Sequence, residues 1–298
     1  MRPARLRVAL VAANLLLLFV LGHAFADGVL FPWSPVRPGY AVVRHARATV
    51  VYPERTRVPE ALGRVDGIVA EVAGANRLRQ REPITVVLTD DWGLFVRGTL
   101  MGLRAREVPV LGAAMQTGTV IWLSPLLLRD STRVRDVAAA LRHELTHALF
   151  FQQMPLRRTF ELVKLDWFEE GSAVHFGNAG DYMGDAEWAR WARRPAYRFG
   201  PEGDPTLAHL PDTLRGSFRL AEYRQFTAWL IDRHGADRFF AFRDGVLADP
   251  PRWAEAFERE LGERASSARE SFEAAVRAGE WPRLAPDVAG TTERPPPS

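Results

Sequence analysis

Arg142-His143-Glu144-Leu145-Thr146-His147-Ala148 is the stretch from which the rest of the chain is read. It contains H-E-x-x-H, and on an α-helix of 3.6 residues per turn His143 and His147 fall one turn apart on one face. Two imidazoles placed that way can each bond one Zn²⁺ at about 2.0 to 2.1 Å, while the glutamate between them reaches a water on the metal's open side. With seven histidines in 298 residues, the spacing arises by accident about once in a hundred such sequences, so the neighbouring residues must carry the reading. Upstream runs Val137-Ala138-Ala139-Ala140-Leu141, and downstream Leu149-Phe150-Phe151. They predict a helix from about Arg133 to Gln152 that is apolar around most of its circumference and therefore buried. Ser131 and Thr132 are its candidate N-cap, with Asp136 in the first turn. Buried imidazoles need partners for their ring nitrogens, and a shared metal supplies them.

Zinc with one open position needs a third protein ligand. The extended form H-E-x-x-H-x-x-G-x-x-H requires glycine at 150 and histidine at 153, where this chain has Phe150 and Gln153, so the three-histidine class is excluded. Further on stands Leu165-Asp166-Trp167-Phe168-Glu169-Glu170-Gly171-Ser172-Ala173-Val174. A second helix here can carry a carboxylate to the metal, and the small residues after it permit close helix approach. Glu170 is the candidate ligand, with Glu169 and Asp166 as rivals.

Taken together, His143-Glu144-Leu145-Thr146-His147 and Trp167-Phe168-Glu169-Glu170-Gly171-Ser172-Ala173 resemble the gluzincin metallopeptidases. The similarity is to the bacterial peptidase MA-like group related to thermolysin and the aminopeptidase N family, over about residues 84–246. It implies one Zn²⁺ held by His143, His147 and Glu170, with a peptide bond hydrolysed by a zinc-activated water and Glu144 as general base. The implied fold is α+β: a small mixed sheet in an N-terminal lobe packed on the H-E-x-x-H helix, followed by a mostly helical C-terminal lobe. Thermolysin carries an aspartate one turn after its ligand glutamate. This chain has Val174 there, so the partner that orients a zinc histidine must come from elsewhere. Tyr223 is similar in placement to the aminopeptidase N tyrosine whose hydroxyl stabilises the tetrahedral intermediate, although the lysine and glycine that follow it in the family are missing. The alternative for Tyr223 is a core residue in an apolar stripe.

The resemblance also assigns to Thr119–Leu123, the last strand before the motif helix, the border of the cleft and pairing with extended substrate. Gly112-Ala113-Ala114-Met115-Gln116 is similar to the family's Gly-x-Met-Glu-Asn stretch but lacks the glutamate that binds a substrate's amino terminus. That difference points towards internal cleavage. Two other classes compete with the peptidase: a non-catalytic zinc-binding scaffold or regulatory protein on the same fold, and a binding protein without metal.

Residues 1–26 read as a secretory signal. Three arginines lie in Met1–Arg7, Val8–Leu21 is almost wholly apolar, and Ala24-Phe25-Ala26 fits a small-x-small cleavage site. The expectation is an extracytoplasmic protein, periplasmic or secreted, with membrane contact only if this segment is retained as an anchor. Asp27–Tyr40, with Pro32, Pro35 and Pro38, reads as a tether. The expected catalytic domain then spans 41–280, its sheet lobe about 41–130 and its helical lobe about 131–280, followed by a disordered tail over 281–298.

No cysteine is present, which excludes disulfides, thiolate ligands and a cysteine nucleophile. The net charge is only +3, Lys164 is the sole lysine, and arginines alternate with acids. That pattern argues against a nucleic-acid face; a peptide or protein substrate as the expected partner is what the gluzincin resemblance implies. Predicted strands are Ala48–Tyr52, Ile84–Leu88 and Gly118–Leu123. Helical spacing recurs over Val58–Ala73, Leu220–Arg233 and Arg252–Gly279, while Asp90–Gly112 reads as a loop or short helix and Gly177–Pro211 as a surface excursion.

Overall fold

In the middle of the sheet, runs rich in β-branched residues form strands whose two faces are both buried. Strands β1 (Tyr40–Arg44), β2 (Ala48–Pro53), β3 (Ile84–Leu88), β4 (Gly112–Ala114) and β5 (Val120–Leu123) make one sheet in the order β1-β2-β3-β5-β4. The computed structural model describes residues 3–28, 30–99, 111–129, 137–177, 183–200 and 210–282. β2, β3 and β5 run parallel, and β1 and β4 close the two edges antiparallel. The period of two sorts the side chains. Val50, Val86, Leu88, Ile121 and Leu123 face one core, while Val51, Val87, Val120 and Trp122 face another. Burial on both faces explains why these strands read as continuous apolar runs and not as alternating ones.

The first face is covered by α3 (Val65–Ala75), through Val65, Ile68, Val69 and Val72, and by α6 (Val137–Phe151), through Leu141, Leu145 and Leu149. The second is covered by Phe31 and by Leu94 and Phe95 of α4 (Trp92–Thr99). Each of these side chains contributes roughly 1.5–3 kcal/mol when fully buried. The short helices α2 (Glu60–Gly63) and α5 (Leu126–Arg129) complete this part of the chain. Ahead of it α1 (Pro3–Asp27) exposes Leu15, Leu16, Leu17, Leu18 and Phe19. Among the described residues no helix is long and apolar enough to cross a membrane.

The remainder is helical: α7 (Leu156–Leu162), α8 (Asp166–Gly177), α9 (Asp185–Ala192), α10 (Asp212–His234), α11 (Ala236–Ala248), α12 (Trp253–Leu261) and α13 (Ala265–Ala278). Their shared core is rich in aromatics, with Phe168, Trp188, Tyr197, Phe218, Phe226, Phe239, Phe242 and Phe272 buried. The chain is thus mixed α+β, a small five-stranded sheet with a mostly helical remainder.

Several expectations are corrected. The Val58–Ala73 helix is two helices, broken at Arg64. The strand expected at Gly118 begins at Val120, because Gly118, with φ +70, makes the turn between β4 and β5. Asp90–Gly112 contributes α4 and the start of β4. The supposed surface excursion contains α9, whose Trp188 is fully buried. β5 pairs on both sides and so has no free edge for substrate; the edge strand is β4. The helix cap at Ser131, Thr132 and Asp136 lies outside the described residues, as do 283–298 of the expected tail.

Gly171 sets the distance between α8 and α10. A methyl added there would lie 2.6 Å from Thr227 Oγ1 and 2.7 Å from the Tyr223 carbonyl oxygen. Gly171→Ala should therefore force the helices apart and cost about 1–3 kcal/mol in urea denaturation. An unchanged unfolding midpoint would show that this contact does not hold them.

Candidate metal centre

α6 is buried nearly all round because it lies between the sheet and the helical core, and its two histidines open onto α8. The imidazoles meet edge to face, with centroids 4.7 Å apart. Nε2 of His143 lies 3.0 Å from Nε2 of His147, and Glu170 Oε2 of α8 lies 3.3 Å from the first and 3.7 Å from the second. Tetrahedral bonds of about 2.1 Å would separate neighbouring ligand atoms by roughly 3.4 Å. The three observed edges straddle that value, so two nitrogens and one oxygen fit a zinc-sized ion. These are the residues whose ligand atoms all lie within 4.8 Å of one another. The Glu170 side chain is one third exposed, against 8% for His143 and 7% for His147. The cluster therefore opens to solvent on the glutamate side.

Small residues bring α8 this close. Gly171 clears α10, and at the other end a methyl on Gly177 would lie 2.9 Å from the His143 backbone nitrogen. The sequence expectation that small residues follow the ligand glutamate for this purpose holds at Gly171.

Glu169 lies outside the His143–His147–Glu170 cluster. Its Oε1 lies 3.0 Å from Nδ1 of His147, on the ring edge away from the cluster. It is an ion-pair contact more than an aligned hydrogen bond, since Nδ1 lacks a well-directed acceptor. A carboxylate therefore stands beside the His147 ring although Val174 supplies none. Asp166, the other rival, is not in the donor set; its charge is felt at the Tyr223 hydroxyl.

Glu144 stands outside the three-residue donor set but within electrostatic reach of it, packed against β4. A methyl at Gly112 of β4 would lie 2.6 Å from Glu144 Cγ, so only glycine leaves room for the carboxylate. The Ala114 backbone N–H donates to it. Burial pushes the Glu144 carboxyl above its ordinary value, with the two imidazoles opposing that shift. For Glu170 burial acts upward too, but the charge of His147 and the hydrogen bond from His143 outweigh it and draw the carboxyl down to about 2. Burial alone would depress His147; the surrounding glutamates, Glu169 foremost, instead raise it to about 10. Three carboxylates around two rings thus demand a positive charge at this place.

Tyr223 of α10 is 1% exposed and its hydroxyl has no hydrogen-bond partner among the described residues. Burial raises the phenol, and Asp166, Glu222 and Glu170 add to the shift. The hydroxyl is therefore protonated, unsatisfied and within electrostatic reach of Glu170. Of the other histidines, His234 pairs with Glu263, and half-buried His175 feels the charge of Arg224. His209 lies outside the described residues.

The sequence matches no protein-family model and no curated protein. Solved structures give partial likenesses. A mutant two-domain M1 zinc metallopeptidase bound to L-tryptophan is 16% identical, with a TM-score of 0.40, over 85% of this chain and 53% of that one. An M1 zinc metallopeptidase from Deinococcus radiodurans is 15% identical, with a TM-score of 0.40, over 86% and 54%. The chain spans about half the length of these proteins.

If the cluster takes a metal, zinc titration against a chelator should give one site in the wild type and none after His143→Ala, His147→Ala or Glu170→Ala. Glu169→Ala should keep the site but weaken it by about 10–100-fold. Equal affinity in that variant would remove Glu169 from any orienting role.

Proposed function

We propose that this chain is an exported zinc metallopeptidase that hydrolyses peptide bonds with Glu144 as general base. The observation that carries the reading is the convergence of His143, His147 and Glu170 with a buried fourth group, Glu144, that stands outside the donor set. A structural zinc site has no need of such a carboxylate, whereas a hydrolase needs a base beside its open position. Bound at these three residues, zinc would act as a Lewis acid and bring the pKa of a coordinated water to about 7.

The remaining chemistry belongs to the chain. Glu144, its proton affinity raised by burial, is suited to take a proton and pass it to the leaving amine. The Ala114 N–H fixes that carboxylate against the edge of β4. The same edge offers extended peptide a strand to pair with, and pairing through the main chain tolerates varied sequence. The Tyr223 hydroxyl, without a partner among the described residues, is a donor for the oxyanion that develops on the scissile carbonyl. No glutamate stands in Gly112–Gln116 to bind a substrate's amino terminus, which supports internal over terminal cleavage. Export rests on the arginine-led apolar segment over residues 1–26.

A mixed peptide library incubated with the zinc-loaded chain tests this directly. Wild type should cleave, and Glu144→Gln should lose at least about a hundredfold in kcat while retaining its zinc. Zinc bound by both proteins with no cleavage by either would favour a zinc-binding scaffold. Tyr223→Phe should lower kcat by about 10²-fold or more with KM little changed; an unaltered kcat would return Tyr223 to the aromatic core.

A further inference from the structure

Away from the metal centre, the linker between α3 and β3 reads Arg77-Leu78-Arg79-Gln80-Arg81. Its alternate arginines line one cavity of about 350 Å³, whose opposite wall is α11 with Arg243 and Asp244. Arg77 turns the chain out of α3 with φ +48, and Arg79 and Arg81 follow it along the same cavity wall. Three arginines of the linker thus share this lining with Arg243.

Two of the four arginines are committed. Arg77 pairs with Asp237 at 2.6 Å and lies 4.5 Å over the Phe240 ring. Arg243, almost fully buried, donates to the Asn76 carbonyl and to Asp244 and lies 4.6 Å over the same ring. At the floor of the cavity Asp237 and Asp244 balance Arg77 and Arg243. The side chains of Arg79 and Arg81 are exposed and have no acceptor among the described residues. Counting Asp237 and Asp244 against four arginines leaves two positive charges uncompensated at the mouth.

We propose that this cavity binds a small phosphate-bearing anion, with Arg79 and Arg81 as its forked ligands and the Arg77–Phe240–Arg243 stack as its rigid base. A guanidinium offers paired N–H groups that match the edge of a phosphate, and two such forks converging on one volume select a doubly or multiply charged group over chloride. The volume is at the small end of ligand pockets, which suits an ester or diphosphate and not a polymer. One cavity wall is tied to the metal helix, because Gln153, just past the end of α6, donates to the carbonyls of Arg79 and Leu149.

The test is calorimetric titration of the full chain with inorganic phosphate and with pyrophosphate, at constant ionic strength held by chloride. The wild type should bind pyrophosphate more tightly than phosphate, and Arg79→Gln with Arg81→Gln should weaken pyrophosphate binding by at least about tenfold. Single Arg79→Lys and Arg81→Lys variants, which keep charge but lose the fork, should fall between. Absence of binding by the wild type at millimolar pyrophosphate would overturn the proposal. So would equal binding by wild type and double variant, the result expected if the anion went to a bound metal instead. Peptide cleavage is not part of either readout, so failure of the peptidase reading would leave this result standing.

Discussion

Five ionisable side chains from two helices crowd one small volume where α6 meets α8, and the rest of the molecule is arranged to make that tolerable. His143, His147, Glu144, Glu169 and Glu170 lie within a shell that is mostly closed to water. Burying one uncompensated charge of this kind costs several kcal/mol, a large share of the whole stability of a domain. The cost is offset only if a cation sits among the carboxylates, either a proton on imidazole or a metal at the three converging atoms. The surrounding apolar cores supply the rigidity that keeps the donors in place while that charge is absent or exchanging. α6 is held by Leu141, Leu145 and Leu149 against the sheet and by Phe150 and Phe151 against the helical core.

Much of this was legible in the sequence because it depends on local periodicity. The i, i+4 spacing of His143 and His147 needs only a helix, and the apolar residues around it guarantee one. Glu170 was legible from its companions, since a carboxylate followed by Gly-Ser-Ala describes a helix that must approach something closely. β2 and β3 were legible because runs such as Val50-Val51 and Val86-Val87 have no other comfortable conformation. What stayed hidden is what long-range placement decides. β4 is three small residues, Gly112-Ala113-Ala114, without any β-branched signal, and it is a strand only because β5 is there to pair with it. Glu169 and Glu170 are neighbours in sequence with equal chemistry; that one meets Nε2 atoms and the other Nδ1 follows from the rotation of α8 against α6. Trp188 looked like surface because Gly and Pro surround it, whereas the aromatic core of the helical part reaches out to enclose it.

The small residues make a single steric argument. Gly112, Gly171 and Gly177 each stand where a β-carbon would come within about 3 Å of another element: Glu144, the α10 backbone and the α6 backbone in turn. α6 is therefore approached from two sides by elements that have surrendered side chains to get there. Close approach fixes positions more tightly than loops do, because a packed interface resists displacement in every direction. It also fixes which chemistry faces which. With β4 pressed on Glu144, the Ala114 N–H is spent on the carboxylate and cannot serve the next strand, so any peptide lying along this edge must register to either side of that point. The base would then sit beside the chain it acts on, at a place set by the sheet, while the ligand set is fixed by the helices. Two independent parts of the fold meet at one turn of α6, and the separation of Glu144 from the His143–His147–Glu170 cluster follows from their meeting there.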